Sequence, residues 1–165
     1  MIMKQLILPF AALAAQANPA LAQSITCDDL SQLQVWGKAR FGPIAGEKVD
    51  QYVTKATFTL PGAERCELDY TNTTYATYRC VWSGFPDLES SEAARLDLKT
   101  KVVACLPNGY KIKDRSRTTA TSEGISTYIK FGDLQPQITI ARTYFPKNHH
   151  HLVRFEFQMN LHEDQ

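Results

Sequence analysis

The chain has 165 residues, with 18 Lys and Arg against 17 Asp and Glu and a hydrophobic share of 44%. The length suits one domain with a substantial core, and the near-zero net charge leaves no global field to draw in nucleic acid or an anionic membrane. Any charged partner must be met by a local patch.

The first 22 residues read as a secretory signal peptide. A short basic start at Lys4 is followed by an uncharged apolar run, Leu6 to Ala15, and then by Ala20-Leu21-Ala22. The run is too short to span a bilayer, which takes about 20 apolar residues. Ala20 and Ala22 place the cut before Gln23. Ser24-Ile25-Thr26 lacks the Leu-then-small pattern expected before a lipidated Cys27. The expected product is therefore periplasmic or secreted, without membrane insertion after cleavage. Residues 23–165 are expected to form a single secreted α+β domain. Loss of Lys4 alone leaves 17 basic and 17 acidic residues in it.

Four cysteines remain: Cys27, Cys66, Cys80 and Cys105. An even count in an exported chain points to two disulfides. Their gaps of 39, 14 and 25 residues include no Cys-x-x-Cys pair for redox exchange or zinc.

Thr26 can cap a first helix, with Asp28 and Asp29 in its first turn. Cys27, Leu30, Leu33 and Trp36 then recur on one face, which puts Cys27 inward, until Phe41-Gly42-Pro43 stops the helix. Residues 44–52 read as a connector. Residues 53–60 are rich in β-branched side chains, while 64–71 and 75–83 alternate apolar with polar, so three strands are expected. Asn72-Thr73-Thr74 would form the hairpin turn. Cys66, Cys80, Tyr78 and Trp82 share the buried parity, and Tyr75, near the turn, is expected to be exposed.

A second helix, from about 88 to 106, follows Asp87 and stops at Pro107-Asn108-Gly109. Ala94, Leu98, Val102 and Cys105 form its apolar stripe. Four more strands follow, at about 109–117, 124–132, 136–145 and 151–160, with Gly132-Asp133 in the turn between the second and third. The expected fold is α+β, an antiparallel sheet with two helices (α-βββ-α-ββββ) packed on one face and two disulfides. Cys105, on the packing face of the second helix, favours Cys80–Cys105 with Cys27–Cys66. The rival pairing, Cys66–Cys80 with Cys27–Cys105, stays open.

Lys111, Lys113, Arg115 and Arg117 lie two residues apart, so a strand would project all four from one face. Such a row guards an edge against aggregation or binds an anionic partner. His149, His150 and His151 are consecutive, and adjacent strand residues point to opposite sides, so the triplet cannot converge on one ion. With His162, all four histidines fall in the last 17 residues. The sequence carries no nucleophile elbow, phosphate loop, dinucleotide glycine motif or His-Glu-x-x-His helix. No cofactor or metal is expected.

The leading expectation is a non-enzymatic periplasmic binding or accessory module for an envelope protein or glycan, inhibitor- or immunity-like. It would bind through the exposed sheet face, the basic row and Tyr75. The alternatives are a small periplasmic hydrolase with a dispersed active site and a structural envelope component. The layout resembles compact α/β binding modules, including secretion-chaperone-like folds, a likeness that does not fix function.

Overall fold

The structure, a computed structural model, describes residues 25–131 and 135–160. The proposed signal peptide, the expected Gly132-Asp133 turn and His162 lie outside the described residues.

The first helix, α1 (Cys27–Lys38), begins at a reciprocal cap. The Asp29 amide donates to Thr26 Oγ1 at 3.2 Å and the Thr26 amide donates to Asp29 Oδ2 at 2.8 Å. The helix ends at Ala39, and Arg40 and Phe41 then both take left-handed backbone angles, which turn the fully buried Phe41 ring back into the core. Leu30, Leu33 and Gly37 face inward. A side chain at Gly37 would collide with Met159, so the missing Cβ lets helix and sheet approach closely.

Among the described residues eight antiparallel strands make one sheet: β1 (Ala45–Lys48), β2 (Val53–Ala56), β3 (Arg65–Asp69), β4 (Tyr75–Phe85), β5 (Lys111–Thr118), β6 (Glu123–Phe131), β7 (Gln135–Phe145) and β8 (His150–Asn160). Their spatial order is β1-β2-β3-β4-β8-β7-β6-β5. The second helix, α2 (Leu88–Ala104), connects β4 to β5. Its cap Asp87 accepts the Ser90 amide at 2.7 Å. Both helices pack on β4 and β8, and α2 also packs on β7.

The expected α+β architecture is thus present, with one strand more than the sequence signals. Residues 44–52 hold β1 rather than a connector. Ala45-Gly46-Glu47-Lys48 is an edge strand exposed throughout, so it has no buried face to impose alternation. The strand expected over 53–60 is shorter, because after Ala56 the chain bends and the Thr57 amide donates to the Ile44 carbonyl.

The core lies between the helices and one sheet face. Leu33, Tyr78, Phe155, Ile129, Ile138 and Ile140 are 0–1% exposed. Each such side chain contributes about 1.5–3 kcal/mol of burial free energy. Tyr78 and Trp82 belong to this core, with the Tyr78 hydroxyl donating to the Phe58 carbonyl and the Trp82 indole to the Pro61 carbonyl.

The favoured disulfide pairing is overturned: the bonds are Cys27–Cys105 and Cys66–Cys80. Cys66 and Cys80 stand directly opposite in the β3–β4 register, with Cα atoms 4.1 Å apart, so the hairpin itself presents them to each other. Cys105 caps the C-terminus of α2 beside the start of α1, with Cα atoms 5.0 Å apart. Cys27 is exposed rather than inward, because the buried arc of α1 begins at Leu30. Among the described residues no helix is long and apolar enough to cross a membrane.

Candidate anion-binding face

The register determines which side chains share the sheet face that, among the described residues, carries no helix. One row across it runs Arg65, Val81, Arg154, Ala141, Ser126, Arg115, and the next runs Glu67, Arg79, Glu156, Thr139, Tyr128, Lys113. Lys111 and Arg117 extend the β5 column at either end, so the four basic residues of the sequence pattern do project to one side. Asp114, on the opposite side of β5, takes hydrogen bonds from Lys99 and Thr127.

The helix-free face is hollow. A cavity of about 920 Å³ reaches from β3 to β5, and among its lining are five arginines whose side chains lie on this face, Arg65, Arg79, Arg115, Arg117 and Arg154, while Arg142 borders it with its side chain turned away. Its acidic lining is Glu67 and Glu123, and Thr119, Thr121, Ser122, Ser126 and Thr143 add hydroxyl-bearing residues. Val81, in its lining, is 6% exposed and Ala141, in the same row of the sheet, 2%, although no helix among the described residues covers them. Gly124 sits where a Cβ would collide with the Arg142 carbonyl oxygen, so β6 and β7 approach there more closely than a side chain would allow.

The arginines differ in how far their charge is spent. Arg79 donates to Glu156 Oε1 at 2.8 Å and to Asp69 Oδ2 at 3.1 Å. Burial opposes its charge, but the two carboxylates outweigh that and raise its pKa further. Arg65 lies within ion-pair reach of Glu64 and Glu67. Arg142 turns to the helix side, to Glu92 at 3.1 Å. Arg154 Nε is 3.3 Å from Glu156 Oε1, yet it is buried and makes no hydrogen bond. Among the described residues Lys111, Lys113, Arg115 and Arg117 form no ion pair, and Arg115 lies over the Tyr128 ring at 5.8 Å from its centroid. The unspent positive charge is therefore concentrated along β5.

Tyr75 does not join this cluster. It opens on the same side by alternation but is half-buried at the end of β4, four strands from β5 and outside the cavity lining. The histidines diverge. His149 occupies a left-handed turn with Nδ1 3.1 Å from the Tyr144 hydroxyl, His150 stacks on Phe145, and His151 turns to the helix side and stacks on Tyr144 at 4.4 Å. Burial and the nearby Arg142 lower the His151 pKa, and its Nδ1 has no hydrogen-bond partner. Among the described residues no histidine hydrogen-bonds a serine or a carboxylate, and no three His, Cys, Asp or Glu converge as metal ligands.

A partly buried ionic network fixes α2 to the sheet. Arg95, 3% exposed, donates to both Glu92 oxygens and to Thr127 Oγ1 at 2.7 Å, and Thr127 donates to Asp114. The Arg95 hydrogen bond holds the Glu92 carboxyl below its ordinary pKa, and the Thr127 hydroxyl does the same for Asp114. Every charge here is paired, which suits a structural role.

Arg65, Arg79 and Arg154 escape a reading of the sequence as members of the site. Their alternation places each on a wet face, but only the sheet order, with β8 central, brings them into one hollow with β5. Comparison of the chain with protein-family models, characterised proteins and solved structures finds no match.

Proposed function

We propose that this chain is a non-enzymatic periplasmic or secreted binding module that takes an anionic envelope protein or glycan on its helix-free sheet face. One observation carries the proposal: the hollow, with five arginine side chains on its face, includes part of a β5 row whose four cations have no carboxylate partner among the described residues. Arginine's planar fork matches carboxylate and phosphate oxygens two at a time, which makes such a lining selective for anions rather than for neutral surfaces. Two disulfides suit an oxidising compartment, in keeping with the signal peptide proposed for residues 1–22. The mode resembles that of small inhibitor or immunity proteins, which act by covering a partner.

The test is retention on immobilised poly-L-glutamate and on immobilised polygalacturonate, across a salt gradient. The wild-type chain should be retained and elute with salt. Lys113→Glu/Arg115→Glu, with an unchanged melting curve, should elute markedly earlier. Flow-through of the wild type, or equal retention of the double variant, would refute the proposal.

A further inference from the structure

We propose that β5 is a docking edge for an extended acidic segment of a partner protein, added antiparallel to β5 with Asp or Glu at alternate positions. This inference rests on the anion-binding reading of the helix-free face and names its ligand.

The backbone makes the first argument. β5 closes one side of the sheet, so among the described residues it pairs with β6 alone. The pairing runs unbroken from Lys111↔Lys130 to Thr118↔Glu123, and all eight residues of β5 are exposed. The other edge, β1, has four residues and an irregular register. In an antiparallel edge strand, alternate residues aim both N–H and C=O outward, where another strand can pair with them. β5 contains no proline and no bulge to prevent this.

Charge decides which strand fits. Lys111, Lys113, Arg115 and Arg117 stand about 7 Å apart in one column. An added antiparallel strand places its own same-face side chains directly opposite, with Cβ atoms about 5 Å away. Acids at every second position would each meet one cation. A second copy of this chain pairing antiparallel through β5 would instead set two cationic columns side by side, so the row excludes self-association by that route. A glycan has no strand backbone to satisfy the edge amides. Tyr128, the ring beside the row, already carries the Arg115 guanidinium over its face and so offers less surface for sugar stacking.

The experiment uses the oxidised protein and three end-blocked octapeptides: alternating Glu and Thr, four Glu followed by four Thr, and alternating Lys and Thr. Affinities are measured by titration, and β5 amide exchange is followed with and without peptide. The alternating acidic peptide should bind at least about tenfold tighter than the block peptide, since only half of the block's acids share a face. Alternate β5 amides should gain protection, and Lys113→Glu/Arg115→Glu should shift preference toward the Lys peptide. Equal affinity for the two acidic peptides, or unchanged exchange along β5, overturns the strand proposal. If poly-L-glutamate is still retained in that case, the broader anion-binding proposal stands; if it is not, both fall.

Discussion

Replacing both Cys27 and Cys105 with alanine should cost this fold more than any surface substitution. The bond ties residues 78 apart in sequence. In the chain-entropy description, a closed loop of that length withholds about 4.5 kcal/mol of freedom from the unfolded chain at 25 °C, against about 3 kcal/mol for the 14-residue loop of Cys66–Cys80. Packing adds little to the first figure, because Cys27 is exposed and Cys105 only half-buried. Cys66 and Cys80, at 4% and 0% exposure, would mix a cavity cost into theirs. The long-range bond is therefore the cleaner test. Urea unfolding followed by tryptophan fluorescence should show the paired variant losing about 3–5 kcal/mol, with a melting temperature lower by on the order of 10–20 °C. A loss below about 1 kcal/mol would refute the entropic argument. Peptide mapping without reductant that links Cys27 to Cys66 would refute the geometry on which it stands.

Two further outcomes follow from single residues. Gly124→Ala should destabilise by about 1–3 kcal/mol, since the new methyl meets a backbone carbonyl that cannot swing aside; an unchanged melting curve would contradict the close approach of β6 and β7. His151 binds its proton less readily folded than unfolded, because burial and Arg142 oppose the charge more than Asp87 and Glu123 favour it, with His150 adding to the opposition. The unfolded chain then takes up the proton first as pH falls below about 7, so stability is full above that pH and declines toward pH 5. His151→Phe, which keeps a flat ring against Tyr144, should flatten that slope in denaturation midpoints measured across the range; a slope unchanged from wild type would remove His151 as its source.

Much of the fold is legible because burial writes itself into side-chain parity. Alternation in β3, β4 and β8 marks a sheet with one dry face, and the stripe Ala94, Leu98, Val102 marks the helix that lies on it. β1 is illegible for the same reason: Ala45-Gly46-Glu47-Lys48 is wet on both sides and has nothing to alternate. The disulfide preference fails because parity states only that Cys66 and Cys80 point inward. It does not state that the hairpin sets them opposite each other, and Cys27 lies just outside the arc that parity describes. The basic column is legible within β5 alone. Its joining to Arg65, Arg79 and Arg154 depends on strand order, a long-range property that no local pattern carries. Arg95 is the reverse case: a charge inside a helix stripe looks solvated in sequence, yet Glu92 and Thr127 make its burial tolerable.

The order of strands also dictates the order of assembly. β1 to β4 and β5 to β7 are two runs of neighbours, and β8, the last of the described strands in chain order, is the wedge that joins them by pairing with β4 on one side and β7 on the other. Until residues 150–160 are in place, each half presents a raw apolar flank, and the Tyr78, Cys80 and Ile140 positions lack the Phe157 and Phe155 rings that complete their layer. Contacts this distant in sequence make for slow folding. The sheet therefore cannot close until the chain has been made through β8, and a chain cut short of His150 would expose two sticky margins instead of one finished sheet.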